Sequence, residues 1–135
     1  MKRNDIKTIL LIDDSKGVRQ FLIPALKSLD LEVVGEAANG TEGLELYEKF
    51  KPDLVFLDLV MPAMSGIEVL KKIKQMDPDA IIVILTSAAD KDSVIESKNE
   101  GATDYLLKPF DLKRIKRTIN KIKANLAEVE NTKND

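Results

Sequence analysis

Five short runs rich in Ile, Val, Leu and Phe alternate with longer segments of helical period, and this alternation constrains the fold more than any other feature. The runs are Thr8 to Ile12, Glu32 to Ala37, Asp53 to Leu57, Ala80 to Leu85 and Asp104 to Leu107. Between them apolar residues recur at steps of three and four: Val18, Phe21, Leu22, Ala25, Leu26 and Leu29 after the first run, and Ile67, Leu70 and Ile73 after the third. A strand followed by a helix, repeated along the chain, predicts an α/β doubly wound domain whose parallel sheet carries helices on both faces.

The runs also differ in a way that orders them. Ile9 to Ile12, Leu54 to Leu57 and Ile81 to Leu85 are continuously apolar, as strands covered on both faces must be, whereas Glu32-Val33-Val34-Gly35-Glu36 is interrupted by polar residues. The second strand therefore belongs at an edge. Asn39-Gly40 turns into the second helix and Lys51-Pro52-Asp53 ends it; Gly101 stands where a helix terminus needs a left-handed residue, and Asp111 can cap the last helix. Pro24 falls inside the first helical pattern and removes a backbone donor, so a bend is expected there, with the strong period carrying the helix past it.

A chain of 135 residues with 44% hydrophobic content makes one soluble globular domain, expected over 1–127, with a disordered tail over 128–135. There is no cysteine and no histidine. That excludes disulfides, thiolate nucleophiles, imidazole bases and the usual zinc sites, and leaves carboxylates, hydroxyls and lysines to carry any chemistry. A net charge of −2 offers no case for direct nucleic-acid binding, and the apolar run after Met1-Lys2-Arg3-Asn4-Asp5 is too short to span or insert in a membrane, so the chain reads as cytoplasmic.

Ligands of an open parallel sheet bind beyond the carboxyl ends of its strands. The first strand runs into Asp13-Asp14-Ser15, the third into Asp58, the fourth into Thr86-Ser87 and the fifth into Lys108-Pro109-Phe110. Taken singly, Asp13 or Asp14 could cap a helix, Thr86 could be a strand-end hydroxyl and Lys108 a solvated lysine. Asp58 is harder to set aside, because an ionised carboxylate inside an apolar stretch must be paired or bound to metal. Three clustered carboxylates should recruit a hard divalent cation such as Mg2+, and a neighbouring lysine adds positive charge. The combination suits phosphoryl transfer, with Asp58 as candidate nucleophile.

Four motifs together resemble the bacterial response-regulator receiver domain of the chemotaxis-regulator (CheY-like) type: Asp13-Asp14-Ser15; Asp58 within Leu57-Asp58-Leu59-Val60-Met61-Pro62-Ala63-Met64-Ser65-Gly66; Thr86-Ser87-Ala88; and Lys108-Pro109-Phe110. The resemblance covers about Lys7 to Leu126. It implies the flavodoxin-like (βα)5 fold of that family, with strand order 2-1-3-4-5. It implies that Asp58 accepts a phosphoryl group from a sensor histidine kinase, a histidine phosphotransfer protein or a small donor such as acetyl phosphate, with Lys108 and Thr86 assisting. It further implies that Asp14, Asp58 and the Val60 carbonyl ligate Mg2+, for which Mn2+ can substitute, with Asp13 acting through water. The Lys108-Pro109 bond would be cis, and Thr86 and Tyr105 would be the switch pair. On this reading the protein is no enzyme beyond its own phosphorylation and dephosphorylation. Val60 and Ala88 depart from side chains able to orient an attacking water, which predicts slow dephosphorylation.

Other readings are a phosphorylation-independent binding module and a haloacid-dehalogenase-type phosphatase; the latter needs a second Asp where Val60 stands, and a flavodoxin-type carrier needs a hydroxyl-rich loop where Asp13-Asp14 stands. With one helix after Lys108-Pro109-Phe110, a stand-alone regulator is expected, acting on a downstream protein target through its fourth helix, fifth strand and last helix. Chemotaxis, a phosphorelay and a developmental pathway are all compatible with it. The last helix carries Leu112, Ile115, Ile119, Ile122, Leu126 and Val129 as a stripe whose inner part is expected in the core and whose end, Leu126 and Val129, is expected to be spare. A monomer or a weak phosphorylation-dependent dimer follows. Its basic residues, Lys113, Arg114, Lys116, Arg117, Lys121 and Lys123, form a solvated face able to steer acidic partners.

Overall fold

The computed structural model describes residues 5–134 apart from residue 88, with side chains described as far as residue 128. Strands and helices alternate without exception: β1 (Thr8–Ile12), α1 (Lys16–Lys27), β2 (Glu32–Ala37), α2 (Gly40–Phe50), β3 (Leu54–Asp58), α3 (Gly66–Met76), β4 (Ile82–Ser87), α4 (Lys91–Asn99), β5 (Asp104–Lys108) and α5 (Leu112–Asn134). All pairings are parallel and the sheet order is β2-β1-β3-β4-β5, so β2 is an edge strand as its broken apolar run predicts.

Alternation of side chains along the central strands makes two cores. Ile9, Leu11, Phe56, Val83 and Leu85 face Leu22 and Leu26 of α1 and Ile115, Ile119 and Ile122 of α5. Leu10, Ile12, Leu57, Ile82 and Ile84 face Tyr47 of α2 and Val69, Leu70 and Ile73 of α3. A strand buried on both faces exposes its register to strong selection by packing, because slipping by one residue exchanges the two sets.

Local chemistry sets the ends of the elements. Ser15, Asn39 and Ser65 cap α1, α2 and α3, each accepting a backbone N–H three residues on. Gly101 takes φ 101° after α4, and Asp111 accepts from Arg114 N at 2.9 Å to cap α5. The Asp53 carboxylate receives Lys7 N, Thr8 N and Thr8 Oγ1, so this residue, expected inside the third strand, pins its entrance to β1 instead. The fourth strand starts later than expected and runs to Ser87, because Thr86 and Ser87 extend the ladder opposite Leu107 and Lys108.

The proline in α1 leaves the helix unbroken: Pro24 is exposed and its carbonyl accepts from Ser28 N. α5 continues through Asn134, past the boundary at 127/128 expected from composition; residue 135 and the side chain of Val129 lie outside what is described. Leu126, expected to be spare, packs against the α1–α5 core because the helix still overlies the sheet at that turn. No described helix is long and apolar enough to cross a membrane.

Candidate functional site

Asp13 follows β1 and continues its ladder, donating its N–H to Ala37 O at 3.0 Å. The side chain is fully buried, and its Oδ1 accepts from Ser15 N at 2.8 Å. Ser15 is the residue that caps α1, with Oγ accepting from Val18 N at 3.3 Å. Neither aspartate is spent as a helix cap, which removes the simplest structural explanation for the pair. Asp14 is exposed at the rim.

Asp58 is the last residue of β3, paired with Leu85 of β4 and only 4% exposed. The loop after it is closed by close backbone packing. Gly66 donates to Leu59 O at 2.9 Å, and a Cβ on Gly66 would lie 2.2 Å from the Asp58 carbonyl oxygen. Ala63 adopts φ 68° to complete the turn. Within this loop Val60 N donates to Asp58 Oδ1 at 3.3 Å, while the Val60 side chain is 64% exposed.

The fifth strand delivers the cation. Lys108 precedes a cis peptide bond to Pro109, as the resemblance implies, and its Nζ lies 3.0 Å from Asp13 Oδ2 and 3.5 Å from Asp58 Oδ1. The lysine bridges two buried carboxylates from different strands. Burial, followed by the charge on Asp13, pushes the Asp58 carboxyl up to about 6; Lys108 and the Val60 N–H act in the opposite direction, and a hydrogen bond with Asp14 adds to the rise.

One lysine does not balance three carboxylates. Asp13, Asp14 and Asp58 each present an oxygen within 4.8 Å of the others, and the buried Oδ2 of Asp13 has no hydrogen bond aligned on it despite the nearby ammonium. This all-oxygen set fits Mg2+ or Mn2+.

Thr86 lies at the end of β4, buried, with Oγ1 reaching Ser87 O and Asp90 Oδ2, both at 3.4 Å. Ladder pairs of Ile84 with Tyr105 and Thr86 with Leu107 put Thr86 and Tyr105 on one face of the sheet. The half-buried Tyr105 ring sits under Lys98 Nζ, 5.0 Å from its centroid, in a groove of about 410 Å³ between α4 and β5. On the other side of Tyr105 a groove of about 500 Å³ is lined by Lys98, Arg114, Arg117 and Lys121, with Asp104 as its acid, 3.7 Å from Lys121. Ala88, expected beside the phosphoryl site, lies outside the described residues.

Two residues that the motifs do not include also reach the rim. Arg19 donates through Nη1 to Asp13 O and through Nε to Glu36 Oε1, the latter at 2.9 Å. The only hint in sequence is an arginine placed beside the buried stripe of α1, one turn after its cap.

The response regulator receiver domain model matches residues 9–120. The chain is 38% identical over 116 residues to the chemotaxis protein CheY of Thermotoga maritima, covering 86% of this chain and 97% of that protein. It is 37% identical to sporulation initiation phosphotransferase F of Bacillus subtilis, covering 84% and 90% respectively. Among solved structures, the chemotaxis protein CheY4 of Vibrio cholerae superposes with a TM-score of 0.80 at 30% identity, covering 87% of this chain and 98% of that one.

Proposed function

The chain belongs to the response-regulator receiver family, and from that membership we propose that Asp58 is its phosphoacceptor and that a sensor histidine kinase or histidine phosphotransfer protein is the donor. The observation that carries this reading is the Lys108 ammonium held between Asp13 and Asp58 at the carboxyl end of the sheet. A carboxylate oxygen of Asp58 attacks phosphorus; the new O–P bond forms as the N–P bond of the donor breaks, and the leaving imidazole takes up a proton. These 135 residues contain no histidine, so none of them can serve as the phosphohistidine donor.

Asp13, Asp14, Asp58 and the Val60 carbonyl would hold Mg2+ or Mn2+, which supplies charge neutralisation for the incoming phosphoryl oxygens. Lys108 contributes a second positive charge, and Thr86 is placed to trade its long bonds to Ser87 and Asp90 for one to the phosphoryl group. A hydrogen bond to a charged group contributes about 1.5 to 3 kcal/mol. Reversing a 1:99 population takes about 5.5 kcal/mol. Thr86 therefore shares the bias with Lys108 and the loop after Asp58, and Tyr105 follows on the same sheet face.

The output surface is α4, β5 and α5. Its groove of Lys98, Arg114, Arg117 and Lys121 against the lone Asp104 favours a downstream protein segment of acidic character. We read the receiver as a stand-alone cytoplasmic regulator, monomeric or weakly dimeric when phosphorylated, that catalyses only its own phosphorylation and dephosphorylation. The near-complete coverage of the Thermotoga chemotaxis protein supports that reading and puts chemotaxis among its settings.

Acetyl phosphate with Mg2+ should add one phosphoryl group to the chain by intact mass. The group should be labile to hydroxylamine and absent from Asp58→Ala. Modification that persists in Asp58→Ala would overturn the assignment.

A further inference from the structure

We propose that Arg19 and Glu36 are a positioning pair that presets the Asp13–Asp14 peptide for cation binding, an inference that rests on reading the acidic cluster as a metal site. The Arg19 side chain is 13% exposed and makes two directed contacts, to the Asp13 carbonyl and to the Glu36 carboxylate. The backbone of Asp13 is thereby held to β2 at both of its polar groups. Its N–H reaches Ala37 O directly, and its C=O is tied through the Arg19 guanidinium to Glu36, the residue before Ala37.

A peptide unit is planar, so orienting the Asp13 carbonyl also orients the Asp14 N–H. Asp14 is the exposed member of the cluster, its side chain met by a hydrogen bond with Asp58 rather than held by burial. Fixing the peptide that leads into it narrows the positions its carboxylate can occupy before a cation arrives. A guanidinium suits this task because its fork is rigid and always charged.

Charge explains the second member of the pair. An unpaired arginine beside a divalent-cation site would repel the ion. Glu36, 2.9 Å from Arg19 Nε, cancels that charge and leaves the net negative charge of Asp13, Asp14 and Asp58 intact. As a mere surface ion pair, Arg19–Glu36 would affect folding stability slightly and cation affinity hardly at all. As a positioning pair, it moves affinity.

The test is Mn2+ binding to the full chain, read from the electron paramagnetic resonance signal of free Mn2+, for the parent, Arg19→Gln, Arg19→Lys and Glu36→Gln. Arg19→Gln should weaken binding about tenfold, the scale expected when a residue that orients a ligand is removed. Arg19→Lys should restore part of the loss, and Glu36→Gln should weaken binding through the uncompensated guanidinium. With acetyl phosphate as donor, the Mg2+ concentration for half-maximal phosphorylation should rise in step, while the rate at saturating Mg2+ returns to that of the parent. Mn2+ affinity within twofold of the parent in Glu36→Gln, or in Arg19→Gln where that variant folds, overturns the proposal. A saturating rate that stays low with affinity unchanged overturns it as well. A parent that binds no Mn2+, or binds it equally well as Asp58→Asn, overturns the metal reading beneath it.

Discussion

The two helices that flank β4 in sequence are built to different standards. α3 buries Gly66, Val69, Leu70 and Ile73, and its cap Ser65 accepts from Glu68 N. α4 buries Ser97 alone, leaves Ile95 58% exposed, and begins at Asp90 without a side-chain cap bond. The carboxylate of Asp90 is turned to Ser87 and Thr86. One helix anchors the loop that follows Asp58; the other rests lightly on the groove beside Tyr105. Elements with few buried apolar contacts open at lower free energy, so a device that must hold one end still and move the other gains from this division. On the proposed function, phosphoryl chemistry falls at the stiff end and its readout at the soft one.

The comparison breaks first at Gly66. A Cβ there meets backbone at 2.2 Å, which no side-chain rotation relieves, so Gly66→Ala should cost about 3 kcal/mol or more in urea unfolding and abolish phosphorylation. A change of under 1 kcal/mol would show that the loop after Asp58 is as yielding as α4.

Titration of Asp58 gives the next largest effect. Its carboxyl is raised from 3.8 to about 6, so the folded chain holds a proton that the unfolded chain has already lost. In the absence of metal, stability contributed by this group is therefore full below about pH 4 and is lost as pH rises through about 6. Asp58→Asn should stabilise the metal-free protein by on the order of 2 kcal/mol at pH 7.5, with the gain vanishing near pH 4 in thermal melts. An equal gain at both pH values would contradict the buried, unbalanced cluster. Addition of Mg2+ should stabilise the parent more than Asp58→Asn.

The caps offer a smaller and more local comparison. Ser65→Ala should cost about 1 kcal/mol, since it removes an acceptor that α3 uses. On the soft side, Ile95→Ser should stay within about 0.5 kcal/mol of the parent. Hydrogen exchange should sharpen the same point: α4 amides exchange faster than those of α3, and beryllofluoride with Mg2+ slows α4 by the larger factor. Uniform protection across both helices would end the distinction.

Val60 presents an exposed apolar side chain beside Asp58, with nothing on it to orient water. The phosphorylated chain should persist for minutes or longer in Mg2+ buffer without a phosphatase, as read by loss of the phosphoryl mass. Decay within seconds would show that another group directs the water.

Much of this was legible in sequence because it is encoded locally. The unbroken apolar runs of β1, β3 and β4, the capping Asn39 and Asp111, and Gly101 each act through residues a few positions away. The strand-end rule then locates Asp13, Asp14, Asp58, Thr86 and Lys108 on one rim. Other features resisted. Nothing in Asp13-Asp14 says that the first is buried and the second exposed, nor that Ser15 takes the capping role. Composition marked a tail from 128 where α5 runs on to Asn134, and the stripe marked Leu126 as spare where the packed sheet gives it apolar cover.

Sequence by itself determined the alternation of elements, the edge position of β2 and the kinds of side chain at the strand ends, since these follow from hydrophobic period and backbone preference. Tertiary structure alone decided which charges meet. Lys108 reaches Asp13 and Asp58 because β5 and β1 both flank the β3–β4 pair in the sheet order, and Arg19 reaches Glu36 across 17 positions because α1 packs over the end of β2. Apolar burial is non-directional and is written in nearest neighbours along the chain. Charge pairing depends on distances between groups brought together by register and strand order, and no local pattern records those distances.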